Sequence, residues 1–283
     1  MNERILLLGH TGKMGIALKE VFEEDYDVIG KNSSDFDALD FEQIQDLIEK
    51  NNPDIVINTV AFLGIDHCEE YPEKAFGLNA LYPKLLAELS NTHRFLLIHF
   101  STDAVFDGEK GDFYSEEDCP RPLNMYGLTK YGGDRFVQVI SRNYYLLRIS
   151  LLFGGVNKKT QFVEKMLQKA KEGERILRVS DDIVLSPTYS RDVAEEAKRI
   201  LEASLPFGLY HIANSKKGSL YDLIKEIVDN LHLDVKVEKA SYRDFPHLGA
   251  KNTYTPLRSE KIKPLRPWKE AVAAYCHRII NQC

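Results

Sequence analysis

A chain of 283 residues, 43% hydrophobic and 28% charged, is large enough to bury one sizeable core with a smaller lobe and has the composition of an ordinary globular protein. Its 37 Lys and Arg against 43 Asp and Glu leave a net charge of −6, which gives no electrostatic case for nucleic-acid binding. No stretch approaches the roughly 20 apolar residues of a membrane helix, the apolar run in MNERILLLGH is too short for a signal sequence, and Cys68, Cys119, Cys276 and Cys283 lack zinc or disulfide-framework spacing, so a cytoplasmic protein with reduced thiols is expected.

Arg4–Leu8 is a short apolar run that predicts a buried strand. Gly9–Gly15 follows as a loop, and an apolar-periodic helix then runs to about Phe22. Asp27–Ile29 predicts a second strand, and Phe41–Lys50 a helix with Asp40 as its N-cap. Asp54–Asn58, just after Pro53, predicts a third strand, Glu73–Ser90 a helix, and Phe95–Phe100 a fourth strand. Asn124–Ile140 predicts a helix and Tyr144–Ile149 a fifth strand. Short continuous apolar strands alternating with helices indicate an α/β fold, a Rossmann-type doubly wound parallel sheet covered on both faces.

Beyond residue 150 the rhythm becomes irregular. Gln161–Lys171, Arg191–Ala203 and Leu220–Leu231 predict helices, Gly208–Ile212 and Asp234–Val237 strands, and Pro267–Ile280 a closing helix with Pro267 near its first turn. Ser241–Pro264 is rich in Pro, Asn, Thr and basic residues and predicts loops. The expected organisation is a dinucleotide-binding domain over 1–150 and a mainly substrate-binding lobe over 151–283, interleaved with the sheet and without a flexible linker.

LLLGHTGKMG sets Gly9, Gly12 and Gly15 between a strand and a helix. There glycines permit a tight turn, close approach to a pyrophosphate and close helix packing. Gly9, Thr11, Gly12, Lys13 and Met14 are therefore candidate cofactor contacts. After the second strand Lys31 stands where an acidic residue would select NAD, followed by neutral Asn32, Ser33 and Ser34, which points to NADPH with NADH as the alternative. A solvated Lys31 is the plainer alternative, with Asp35 and Asp37 nearby.

The fourth strand leads into Ser101-Thr102-Asp103, and Tyr126 lies four residues before Lys130. On a helix those two side chains share a face, and an ammonium beside a phenol lowers the phenol pKa from about 10 toward the working range. That is a proton donor suited to carbonyl reduction. An isolated Tyr-x-x-x-Lys pair is common on helix surfaces; the glycine loop and Thr102 give this one catalytic meaning. His10, His67, His93 and His99 show no metal-ligand spacing, and no metal is expected.

GHTGKMG, DIVINTVAF, STDAVFDG, YGLTK, LRISLLFG, DDIVLSPTYSRDVA and GLYHIANS, spread over most of the chain, together resemble the extended short-chain dehydrogenase/reductases, and closest among them the dTDP-4-dehydrorhamnose reductase family. The resemblance implies an NADPH-dependent oxidoreductase that reduces the C4 ketone of a nucleotide-linked 4-keto-6-deoxysugar for polysaccharide biosynthesis. Tyr126 is then the proton donor, Lys130 holds the nicotinamide ribose, Thr102 bonds the carbonyl oxygen, and Asp103 lies beside it near the sugar. The resemblance maps adenine contacts onto Asp40 and Phe41, further cofactor contacts onto Val60, Ala61 and Phe62, and a substrate contact onto Leu151. For Asp40 a plain N-cap is the competing role.

Two departures concern the sugar. The family's usual Tyr after Ser-Thr-Asp is Ala104 here, and its Trp after the fifth strand is Leu151. These lost aromatics imply either a different deoxysugar or neutral change in the same pocket. The resemblance implies a nucleotide-sugar substrate and leaves a homodimer open. Two other readings remain: an epimerase or dehydratase retaining NAD, and a cofactor-binding regulatory subunit like that of methionine adenosyltransferase, which is similar around PLNMYG. Ala104 and Lys31 weigh against the first, and the retained Thr102, Tyr126 and Lys130 weigh against the second.

Overall fold

In the computed structural model, which describes residues 3–155 and 161–282, six parallel strands form the central sheet. Its first half contains β1 (Arg4–Leu8), α1 (Lys13–Phe22), β2 (Asp27–Lys31), α2 (Phe41–Asn51), β3 (Ile55–Asn58), α3 (Ile65–Glu70), α4 (Pro72–Phe76), α5 (Tyr82–His93), β4 (Leu96–Thr102), α6 (Met125–Ile140) and β5 (Tyr144–Ile149). The second half contains β6 (Leu152–Phe153), α7 (Phe162–Lys171), β7 (Ile176–Ser180), β8 (Val184–Leu185), β9 (Thr188–Tyr189), α8 (Ser190–Glu202), β10 (Gly208–Ile212), β11 (Asn214–Ser215), β12 (Gly218–Ser219), α9 (Leu220–Asn230), β13 (Lys236–Ala240), β14 (Leu265–Pro267) and α10 (Trp268–Gln282). The sheet order is β10-β5-β4-β3-β1-β2, so β10 returns from the second half to close one edge.

The period-two alternation of a strand decides which core each residue joins. Ile5 and Leu7 of β1 pack on one face with α1 and α8, whereas Leu6 and Leu8 pack on the other with α2 and α5. Both faces are covered, which is why RILLL and IVIN are apolar without interruption. A third core, built from Leu177, Ile224, Ile227, Trp268 and Tyr275 among others, belongs to the second half. No described helix is long and apolar enough to cross a membrane.

The structure corrects several expected elements. The helix expected over 73–90 is interrupted by a π-helical turn at Gly77–Leu81, and α3 precedes it unannounced by any apolar period. β2 extends to Lys31 and β4 to Thr102, because parallel pairing of Leu8 with Lys31 and of Thr102 with Ile149 carries the polar ends along. β13 starts later than expected, at Lys236, to pair with β7. The expected loop segment 241–264 lacks long elements, yet Asn252, Thr255 and Leu257 within it are buried. Cys68, Cys119 and Cys276 are free thiols; Cys283 lies outside the described residues.

Candidate active site

β1, β3, β4 and β5 all end at one edge of the sheet, and the candidate residues gather there, where open α/β sheets hold ligands. Gly9 turns the chain after β1 with φ +86°, a conformation in which a side chain would also meet Thr59 Oγ1 at 2.5 Å. Gly15 lies so close to this turn that a Cβ would stand 2.2 Å from the Gly9 carbonyl oxygen. The loop is thereby held tight against α1. The N-terminus of α1 has no side-chain cap and no acid in its first turn. Its amide groups and helix dipole are open to an anion, so the loop fits a dinucleotide pyrophosphate. Thr11 and Gly12 are half-buried in this loop.

The side chains of Lys13 and Met14 turn away from that cradle, although their backbone amides are the first of α1. Met14 is buried in the core on the α1 face. Lys13 Nζ turns into the second half of the chain, donating to the Leu152 carbonyl at 3.0 Å and pairing with Glu164 of α7 at 2.9 Å. Burial holds the ammonium below its ordinary pKa, with Glu164 opposing that shift. Lys31 ends β2 beside the loop, where its carbonyl accepts from Gly9 and His10. Asp40 caps α2, accepting from Gln43 N at 3.1 Å and Gln43 Nε2 at 2.7 Å, while Phe41 is exposed. Asp40→Ala should accordingly cost about 1 kcal/mol of stability in urea unfolding; unchanged cofactor affinity in a fluorescence titration would leave it a plain cap, and a loss of affinity would give it the adenine role as well.

The segment after β3 is locked from behind. Val60 N donates to Asn58 Oδ1, and Phe62 exchanges hydrogen bonds with Asn79 at 2.8 and 3.0 Å, leaving Val60, Ala61 and Phe62 half-buried at the strand end. Asn79 lies in the π turn and also donates to Thr129 Oγ1 at 3.1 Å, tying this segment to α6 (Met125–Ile140). π turns in helices often mark such functional positions.

α6 starts at the cap Asn124, whose side chain accepts from Gly127 N and donates to Ala250 O and Asn252 Oδ1. Asn252 in turn donates to Phe106 O at 2.6 Å, so the late segment binds both the loop after β4 and the head of α6. Tyr126 is half-buried at this head and Lys130 is buried one turn on. Burial raises the Tyr126 phenol, and the Thr102 hydroxyl facing it pulls the other way. This differs from the expectation that Lys130 lowers it: desolvation disfavours phenolate more than the surroundings stabilise it. Lys130 Nζ donates to the Phe100 carbonyl at 2.6 Å, and burial pushes its pKa down to about 8, against a raising contribution from Asp134.

Thr102 Oγ1 donates to Asp103 Oδ1 at 3.2 Å and accepts from Ala104 N. Asp103 is buried and held by Ser150 Oγ at 2.7 Å and Thr255 Oγ1 at 3.1 Å. Burial raises its pKa while these bonds lower it. Its carboxylate is thus committed to joining β4, β5 and the late segment instead of standing free toward a sugar. Leu151 is likewise turned into the apolar core of the second half.

Sequence reasoning missed the charges behind the site. Arg148 on β5 is fully buried and donates to Asp134 Oδ2 at 3.0 Å, with its other terminal nitrogen 3.1 Å from His211 Nε2. Burial and Arg148 push His211 down to about 4. The signal was an arginine inside the apolar strand YYLLRI, since a buried charge requires a partner.

The family model for the RmlD substrate binding domain matches residues 3–280. The chain is 28% identical over 285 residues to the spore coat polysaccharide biosynthesis protein SpsK of Bacillus subtilis (strain 168), covering 99% of each. It is 30% identical over 280 residues to the dTDP-4-dehydrorhamnose reductase of Mycolicibacterium smegmatis, covering 96% of this chain and 84% of that protein. Among solved structures, the dTDP-4-dehydrorhamnose reductase of Bacillus anthracis str. Ames in complex with NADP superposes with a TM-score of 0.92 at 28% identity, covering 98% of this chain and all (100%) of that one.

Proposed function

The chain belongs to the RmlD substrate-binding-domain family, and from that membership we propose that it is an NADPH-dependent reductase of a dTDP-linked 4-keto-6-deoxysugar. The observation that carries the reading is the convergence of the open α1 N-terminus, Thr102, Tyr126 and Lys130 at one edge of the sheet. The NADP complex of the Bacillus anthracis relative supports the cofactor, and the reductases among the relatives support the substrate class.

Bound NADPH supplies the hydride that reduces the C4 carbonyl carbon. Thr11, Gly12 and the first amides of α1 would hold its pyrophosphate, Lys31 a 2′-phosphate, and Lys130 the nicotinamide ribose. Tyr126 gives its phenol proton to the carbonyl oxygen as negative charge develops there. Its raised pKa keeps that proton in place at neutral pH. Thr102 aims its hydroxyl at the same oxygen by rotating away from Asp103. Donors fixed in advance stabilise the transition state more than the ground state, because charge on that oxygen is largest there. Asp103 acts through Thr102, Ser150 and Thr255 as a strut of the site.

Residues 1–150 form the cofactor half and residues 151–283 chiefly the sugar half in this reading, with Lys13–Glu164 and Asp103–Thr255 crossing between them. The enzyme works in the cytoplasm, in keeping with the free thiols of Cys68, Cys119 and Cys276. The test is loss of NADPH absorbance with freshly generated dTDP-4-keto-6-deoxy-L-sugar and isolation of the deoxysugar product. No turnover with NADPH still bound would overturn the substrate. Lys31→Ala should raise the KM for NADPH about tenfold, the worth of about 1.4 kcal/mol, while leaving that for NADH unchanged. Equal changes for both cofactors would remove Lys31 from the 2′-phosphate.

A further inference from the structure

Asp134 lies one helical turn beyond Lys130 on α6, so the two side chains share a face. Its carboxylate has no solvent exposure. Oδ2 accepts from Ser101 Oγ at 2.7 Å and from Arg148 Nη2 at 3.0 Å. Oδ1 is also buried and has no hydrogen-bond partner among the described residues. An ammonium has three donors, and among the described residues Lys130 Nζ has one hydrogen bond, to the Phe100 carbonyl. A carboxylate oxygen and ammonium donors, both on buried side chains, therefore stand one turn apart.

The elements packed against α6 carry other titratable groups: His99 of β4, Asp103 after it, Arg148 of β5, Tyr82 of α5, Cys68 and Glu69 of α3, Tyr126 on α6 itself, and the exposed Glu73 and Lys74 of α4. His99 is kept neutral by burial and by the Lys130 charge. Arg148 is a second cation, and Asp134 is the anion that acts on the Lys130 ammonium. Beyond Arg148, His211 N donates to Glu116 Oε1 at 2.8 Å, which fixes the far end of the row.

We infer that Asp134 is a positioning residue: anchored by Ser101 and Arg148, its carboxylate keeps Lys130 in the ammonium form and in place for the cofactor's ribose. The role for the ribose rests on the cofactor reading above; the effect on the Lys130 charge stands on the shared face of α6, the burial of both side chains and the anchoring of Asp134 by β4 and β5. Burial alone favours neutral lysine, and a nearby anion favours the charged form. Lys130 is charged below its midpoint, so removing the anion moves the loss of charge to lower pH.

The experiment follows the Lys130 Cε resonance against pH by lysine-selective NMR of the cofactor-free protein, assigned by its absence in Lys130→Met. A midpoint near 8 is expected in the wild type, lower by about one to three pH units in Asp134→Asn and close to the wild type in Asp134→Glu. Ser101→Ala removes one anchor but leaves the carboxylate, and should move the midpoint the same way by less; it decides the matter if Asp134→Asn does not fold. An unchanged midpoint in folded Asp134→Asn, or in Ser101→Ala where that variant decides, overturns the inference. NADPH titration by fluorescence, without sugar, should show affinity falling at neutral pH in Asp134→Asn and recovering in Asp134→Glu. Failure of the wild type to bind NADPH would overturn the cofactor reading alone, because the lysine titration still reports whether Asp134 holds Lys130.

Discussion

Tyr126→Phe is expected to lower turnover by about 10²-fold or more, the usual cost of losing a general acid, while NADPH affinity stays near that of the wild type. The substitution removes one hydroxyl and keeps the ring at the head of α6, where Asn124 and Asn252 hold the backbone independently of the phenol. Thr102 remains as a hydrogen-bond donor to the carbonyl oxygen, but it has no means of giving up a proton at neutral pH. The loss should therefore appear in kcat measured at saturating sugar. Phenol burial makes the sign clear: a group with a raised pKa is protonated through the neutral range and serves as an acid, not a base. Retained turnover in Tyr126→Phe would remove Tyr126 from the chemistry and leave water or another side chain as the proton source.

Arg148→Met is expected to cost about 3–5 kcal/mol of folding stability, the range for removing one partner of a buried ion pair. Methionine keeps much of the stem volume, so the loss is mainly electrostatic. Asp134 would retain only Ser101 as an anchor, with both carboxylate oxygens still out of water. His211 Nε2 would lose its partner, and the contact of the guanidinium with the Phe106 ring, 5.2 Å from its centre, would go too. Urea midpoints at constant slope measure this directly. Arg135→Met is the control: Arg135 is exposed and bonds Gln138, so its loss should stay within about 0.5 kcal/mol. Equal costs at the two positions would show that Asp134 does not need Arg148 as its counter-charge.

The same row of residues shows why part of the site was legible and part was not. The glycine loop, Thr102 at a strand end, and Tyr126 four residues before Lys130 are local patterns, and each was readable without knowing what packs on it. The strand to which Thr102 belongs proved two residues longer than its apolar run, because hydrogen bonding to β5 continues past the last apolar side chain. Lys13 shows what a local pattern leaves out. Its place in the glycine loop marks it as a cofactor contact, yet its side chain pairs with Glu164, 151 positions away, which turns the ammonium away from the loop. The Met14 side chain is likewise turned into the core by helix periodicity, which leaves its amide at the loop.

What the chain determined by itself was therefore the alternation of strands and helices, the cofactor loop and the Tyr126–Lys130 spacing, since backbone geometry and side-chain periodicity act over a few residues. Only the tertiary structure decided that Asp103 is a strut held by Ser150 and Thr255, that Leu151 faces the second core, and that Asp134 and Arg148 stand behind Lys130. Those assignments depend on which charges lose their water together, and burial brings together residues that the sequence keeps far apart.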